Sequence, residues 1–488
     1  MSSSRARFVA LGILCSRLAG LVRTKAVGFY FGISPQTDVL SVALRAPNAL
    51  QNLLGEQVLS ASFIPVYSRL LASGRPGDAA RFAGAVVSLL VVAASTLALL
   101  GVIFAPALLQ VFAHGFVDDA AQIAAGAAGA PSTDRFPLAV TATRLVFPMT
   151  AVLVLSAWAL GVLNSHRRFF LPYVAPVVWN GAFITALALA AGWGGHLLAP
   201  EAAAVDARNR WLIAVCAGAL VGGALQFAIQ LPAVLRLLGG LHLTPRVWRA
   251  LRVPGVAQAL RAFGPAVLGR GVVQLSLYLD LFLASLLRTG ALGAVGMAGQ
   301  LAALPISVFA MSVSASELPE LSRLSAAAPR GDDDDAGDDR ADAGAPTDDL
   351  STSAALRARV DRALRQAAFV VAPTVVGYLL FGPLLVALLL GGGNFGEADA
   401  ILVALVLAGY SVGLLASTTA RLLQNVFFAL GDTRTPARAA AWRVAVGGAI
   451  GAAAMVVLDR VSVADLRALV GLDGLEIGSQ LFLGALGL

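Results

Sequence analysis

Arg17 and Arg23 interrupt one apolar stretch near the start of the chain, and Asp38 and Arg45 interrupt a second. A charge at the centre of a membrane helix costs about 2.5–3.5 kcal/mol, so it persists where it faces a bundle interior or a wet cavity. Asp38 and Arg45 are seven residues apart, which places them on one face of a helix two turns apart. They can pair with each other or with Arg17 and Arg23. The guanidinium fork matches the oxygens of a phosphate in pairs, so three arginines on adjacent helices predict an anion-binding vestibule. Arg17 and Arg23 point about 120° apart on an ideal helix, and Gly20 between them permits a bend. A blander reading stands beside this one: the arginines snorkel to an interface or only neutralise Asp38, with Arg23 and Asp38 near the ends of their helices. Asp280, inside a later apolar stretch, is a candidate for ion coupling or a satisfied buried carboxylate. Arg144, Arg270 and Arg421 are weaker signals at other helix ends and interiors.

Other chemistries find little support. His114, His166, His196 and His242 are scattered without metal-ligand spacing. There is no P-loop and no dinucleotide fingerprint, so neither an enzyme nor ATP-driven transport by this chain is expected, and no cofactor. The glycine-rich stretch from Gly391 to Gly396 follows a long apolar run and reads as a turn. Cys15 and Cys216 both fall in apolar stretches and give no disulfide framework. The segment 325–353, rich in Asp, Ala and Pro, reads as a disordered acidic loop; it lacks the spacing and terminal Glu of a calcium loop.

The elements that must hold the charges are set by composition. The chain of 488 residues is 58% hydrophobic and only 13% charged, with a mean hydropathy of +0.80. A soluble domain carries about 25% charged residues, so the missing charge implies a lipid-facing surface. Apolar runs long enough to span the bilayer fall at about 8–31, 37–62, 83–112, 137–163, 173–193, 212–238, 263–287, 291–316, 367–391, 400–430 and 437–457, with a shorter run at 475–488. The first run lacks a small-residue cleavage site and reads as an uncleaved transmembrane helix. With the N-terminus in the cytoplasm, 22 of the 35 basic residues lie in inner segments and 6 in outer ones. That asymmetry supports this orientation in a bacterial inner membrane. It also assigns the net charge of +7 to membrane lipids rather than nucleic acid.

Residues Ser60 to Leu70 recur as Ser314 to Leu324 with seven of eleven positions identical, each copy closing the second helix of a set. The expected architecture is all-α and polytopic, with two six-helix lobes in parallel pseudo-repeat about a central cavity. The lobes divide as 1–238 and 263–488. Residues 239–262 form a linker whose basic and apolar positions, around Pro245 to Arg252, suit an amphipathic helix on the inner membrane surface.

An ordered series of motifs then adds a likeness. Ser16-Arg17-Leu18-Ala19-Gly20-Leu21-Val22-Arg23, Arg45-Ala46-Pro47-Asn48, Ser62-Phe63-Ile64-Pro65-Val66 and Arg144-Leu145-Val146-Phe147-Pro148 come first. Gly161-Val162-Leu163-Asn164-Ser165 with Arg168-Phe169, Ala175-Pro176 with Asn180, Leu318-Pro319-Glu320-Leu321-Ser322 and the run Phe427 to Pro436 follow. Together they resemble the MurJ/MviN family over about residues 8–440. The resemblance implies the multidrug/oligosaccharidyl-lipid/polysaccharide exporter fold and a flippase that carries lipid II between leaflets by alternating access. It implies that Arg17 and Arg23 hold the substrate diphosphate, with Asp38 as the acid of the second helix; Arg45, on the same helix face as Asp38, is expected to join them on the diphosphate, and Glu56 to serve as a further charge partner in the cavity. For such a flippase, membrane potential is one expected drive, and a sodium or proton site that includes Asp280 is another.

The sequence departs from the family pattern at Gln51, where a basic residue is usual, at Glu56-Gln57, and at Ala298-Gly299-Gln300-Leu301, where Gln300 stands for an arginine. The family usually carries two further helices after the twelfth. Two alternatives follow: a flippase for another polyprenyl-diphosphate glycan, and a non-transporting member that binds cell-wall synthesis proteins.

Overall fold

The computed structural model describes residues 3–127, 130–240, 242–244, 246–316, 347–429 and 434–458. Everything regular in these residues is helical. In chain order the helices are α1 Ser3–Phe31, α2 Pro35–Leu54, α3 Glu56–Ala72, α4 Pro76–Ile103, α5 Ala105–Phe112, α6 Asp119–Ala124, α7 Arg135–Ser165, α8 Phe170–Trp193 and α9 Val205–Leu238. After these come α10 Val247–Ala250, α11 Val256–Ser285, α12 Ala291–Ser316, α13 Thr347–Leu390, α14 Glu397–Ala429 and α15 Arg434–Leu458. Six helical stretches among the described residues are long and apolar enough to cross a membrane: Pro76–Ile103, Arg135–Ser165, Phe170–Trp193, Val205–Leu238, Val360–Leu390 and Glu397–Gln424. Helices α1 and α2 are less uniformly apolar because they carry Arg17, Arg23, Lys25, Asp38 and Arg45.

Several boundaries differ from the sequence reading, for local reasons. The second run is two helices, α2 and α3, because Gly55 takes φ −91° and ψ −148°, outside the helical region. The third run breaks at Phe104, and Pro106 opens α5. Pro106 has no N–H to give the Val102 carbonyl; Arg144 Nε donates to that oxygen instead, at 3.2 Å. The same logic links two helices of the C-terminal lobe. Pro305 frees the Leu301 carbonyl within α12, and Tyr378 Oη on α13 donates to it at 2.9 Å.

The linker does not form the expected surface helix. It makes one turn, α10, with Ala250 buried, while Arg246, Trp248, Arg249 and Arg252 stay exposed. Its start is pinned to α4: Thr244 N donates to Ser88 Oγ at 3.0 Å, and the His242 carbonyl presses on Gly84, where no Cβ would fit. Within the acidic segment 325–353, read from the sequence as a loop, the described residues from Thr347 onward are helical. Residues 325–346, most of the second repeat copy and the run at 475–488 lie outside the described residues.

Two buried clusters show how the lobes meet. One joins Val27, Phe31, Val39 and Val42 to Leu281, Leu287, Leu292, Val295, Leu390 and Val403, so it crosses between the lobes. The other, around Phe63, Tyr67, Phe82, Trp158 and Val234, takes from beyond α9, among the described residues, Ala250, Val256 and Ala259 with Val253 against them. Among the described residues, the core that the lobes share lies at the end of the bundle that holds Asp38. At the opposite end, which holds Arg69, the first turns of α11 lie on α3, with Arg69 Nη1 at 3.4 Å from Gln258 Oε1.

Candidate anion site and its closed end

Between the lobes lies a cavity of about 410 Å³ lined by α1, α2, α7, α8, α9 and α12. Arg23 reaches it from α1 and Arg45 from α2, alongside Asn48, Gln226, Trp179 and Gln300. The Arg23 guanidinium carbon sits 4.9 Å from the centre of the Trp179 ring and 5.6 Å from that of Phe183. Ring faces hold a cation in place without consuming its charge. Among the described residues no carboxylate pairs with Arg23 or Arg17. Arg17 is exposed and lines a smaller space of about 210 Å³ that shares Arg23, Pro176, Trp179 and Gln300 with the main cavity. The two spaces together run from the bundle interior to a side opening between α1, α8 and α12.

Arg45 lies against the C-terminal lobe, where its Nη2 is 3.5 Å from the point a Gly296 Cβ would occupy. Half-buried Asp280 on α11 sits in the field of Arg45 and of Arg443 on α15, and Tyr410 on α14 in that of Arg45 and Asp280. Arg443 is exposed and lines neither space; its link to Arg45 is the charge of Asp280. Gln300 is exposed at the side opening. Gln51 lies in the last turn of α2 and Glu56 opens α3; their side chains fall outside the described residues. The side chains of Arg270 and Arg421 also fall outside them.

Asp38 is placed differently from the expectation. It does not pair with Arg17, Arg23 or Arg45 but is fully buried at the closed end of the cavity. Its Oδ2 accepts from Gly290 N at 2.6 Å and its Oδ1 from Gly293 N at 2.9 Å. A carboxylate on these free N–H groups neutralises the positive end of α12. A carboxylate of one lobe thereby caps a helix of the other. Arg135 Nη1 adds an ion pair at 3.2 Å and is itself clamped by Asp119, with Nε to Oδ2 at 2.6 Å and Nη2 to Oδ1 at 2.8 Å. The Arg135 guanidinium also lies 4.2 Å from the Phe116 ring centre. Further contacts close the same end: Asn394 N to the Phe29 carbonyl at 2.9 Å, Asn394 Nδ2 to the Tyr30 carbonyl at 2.7 Å, and Phe112 stacked on Tyr278 at 4.3 Å. Sequence reading missed Asp119 and Arg135 because both sit in a polar stretch that looks like any solvated loop.

A bundle of membrane-length helices in two lobes, enclosing a cationic cavity shut at one end, defines the chain as a polytopic membrane transporter. Comparison with known proteins agrees. The sequence profile of the family described as "Lipid II flippase MurJ" matches residues 27–471. The lipid II flippase MurJ of Burkholderia cenocepacia is 31% identical over 429 residues, covering 88% of this chain and 73% of that protein. The probable lipid II flippase MurJ of Haemophilus influenzae is 28% identical over 427 residues, covering 87% and 75%. Among solved structures, "Lipid II flippase MurJ, inward closed conformation" superposes with a TM-score of 0.66 at 20% identity, covering 98% of this chain and 86% of that one. An inward-facing multidrug resistance MATE family transporter of the MOP superfamily gives a TM-score of 0.62 at 13% identity, covering 94% and 92%. The chain belongs to the lipid II flippase MurJ family and is a bacterial membrane protein.

Proposed function

We propose that this chain moves lipid II, the undecaprenyl-diphosphate-linked peptidoglycan precursor, across the inner membrane by alternating access. The observation that carries this reading is the placement of Arg23 and Arg45 in one cavity with Arg17 at its side opening, Arg17 and Arg23 having no carboxylate partner among the described residues. In this reading the N-terminus lies in the cytoplasm, the Asp38 end faces outward, and the cavity is accessible from the inner leaflet. Arg17 meets the diphosphate at the opening; Arg23 and Arg45 hold it inside while the polyprenyl tail stays in lipid. Asp280 keeps Arg45 and Arg443 from repelling each other across the lobes before the anion arrives. Release of Asp38 from the end of α12 lets the lobes part on the outer side.

An inside-negative potential favours outward passage of an anion, by about 2.3 kcal/mol per charge per 100 mV. Coupling to sodium or protons through Asp280 is the alternative drive. Gln300 at the side opening, an uncharged donor, favours a second cargo reading: another polyprenyl-diphosphate glycan with fewer charge contacts. Mass spectrometry of lipids co-purified with the protein separates the two. Complementation tests transport itself. In cells depleted of their own flippase, the chain restores outward lipid II and the Arg17→Ala and Arg23→Ala variants do not. Correctly inserted protein that restores nothing overturns the proposal, and variants that behave as the parent point to a scaffold role instead.

A further inference from the structure

A second cavity of about 410 Å³ lies away from the transport site, at the Arg69 end of the bundle. It is walled by the α7–α8 connection and the last turns of α9, and Arg167, Arg168 and Arg236 line it together with Phe169, Phe170 and Leu237. All three helices are membrane-length stretches that end or begin here, at Ser165, Phe170 and Leu238, so the cavity sits at the level of the lipid headgroups. No carboxylate among the described residues pairs with any of the three arginines. Phe170 is 44% exposed beside them, offering an apolar surface to acyl chains.

The backbone adds an independent observation. Arg167 has φ +59° and is the only non-glycine residue with positive φ among the described residues. It occupies the left-handed position that ends α7: Arg168 N donates to the Leu163 carbonyl at 2.8 Å and Arg167 N to the Asn164 carbonyl at 2.9 Å. Glycine is the residue that fits this position without strain, and side chains there are unfavourable. Strain of this kind persists where a side chain is needed, and here the side chain lines the basic cavity. His166, in the same turn, is held below its ordinary value by burial and then by the charge of Arg168, which registers the positive potential.

We infer that this cavity binds the phosphate of an anionic phospholipid headgroup, with Arg167, Arg168 and Arg236 around the anion and Phe170 against the acyl chains. Basic pockets between membrane helices at the headgroup level recognise such lipids, and arginine suits phosphate by geometry as well as charge.

The test uses the full chain in detergent, titrated with tetraoleoyl cardiolipin, dioleoyl phosphatidylcholine or inorganic phosphate and followed by microscale thermophoresis. Cardiolipin binds more tightly than phosphatidylcholine, and R168Q/R236Q weakens it at least ~10-fold, as loss of charge-assisted bonds requires. Inorganic phosphate at the same concentration does not compete. R167G weakens cardiolipin while raising the unfolding midpoint, because it relieves the backbone and removes a guanidinium. Unchanged cardiolipin binding in a folded R168Q/R236Q, or in an R167G of raised midpoint, overturns the inference. Equal affinity for phosphatidylcholine does so too, and competition by inorganic phosphate assigns the cavity to a free anion instead.

Discussion

Replacing Asp38 with Asn tests the reading of the closed end most directly. The carboxylate accepts from Gly290 N and Gly293 N at 2.6 and 2.9 Å and pairs with Arg135 at 3.2 Å. Asparagine offers one acceptor oxygen, so one N–H faces an amide nitrogen and loses its partner. A hydrogen bond to a charged group contributes about 1.5–3 kcal/mol, and a carboxylate at a helix N-terminus up to ~2 kcal/mol when partly buried. Arg135 keeps Asp119, so the larger cost of a stranded buried cation does not arise. The net loss is about 2–4 kcal/mol, and it falls on the closed form alone because Gly290 and Gly293 belong to the other lobe. The ratio of closed to opened lobes then drops roughly 30- to 1,000-fold. The assay is pulsed electron paramagnetic resonance between labels at His114→Cys and Leu286→Cys, exposed positions on opposite lobes at this end, with Cys15 and Cys216 changed to Ala. Asp38→Asn shifts the distance distribution to a longer population. Asp119→Asn, which leaves the bonds to Gly290 and Gly293 in place, lowers the melting temperature without that shift. An unchanged distribution in Asp38→Asn with only a lower melting temperature would refute the latch and leave Asp38 as a packing anchor.

Asp280→Asn removes a carboxylate that offsets the charges of Arg45 and Arg443, so inorganic pyrophosphate binds the purified protein more tightly than before; weaker binding contradicts the charge-balancing role. His166 titrates below its ordinary 6.5 through burial and Arg168, so the fold holds it neutral. Its contribution to stability is present above about pH 6.5 and is lost as pH falls toward the lowered folded value, because only the unfolded chain takes up the proton in that window. Arg168→Gln raises the His166 pKa measured by NMR and flattens this acid-side loss; an unmoved pKa leaves burial as the sole cause.

The sequence by itself determined the class of the molecule. Lipid-facing helices need uninterrupted apolar side chains, and that requirement is written locally, so the membrane stretches were legible from hydropathy. The charges of α1 and α2 were legible for the same reason, since Arg17, Arg23 and Arg45 stand out against apolar neighbours. Helix breaks were less visible. Gly55 ends α2 by a backbone choice that glycine permits but does not require, and Pro106 and Pro305 matter through carbonyls that Arg144 and Tyr378 satisfy from other helices.

Only the tertiary structure decided which charges meet. Asp38 and Arg45 share a helix face, yet Asp38 serves the closed end and Arg45 the cavity, because their partners come from distant parts of the chain. The partners of Asp38 on α12 are backbone N–H groups, which leave no mark in a sequence. Asp280 feels the charge of Arg443 across 163 positions, and Asp119 reaches Arg135 from the first turn of the short helix α6, in a connection without a recognisable motif. Periodicity reports the environment of one helix at a time; an ion pair between helices is a fact of their packing.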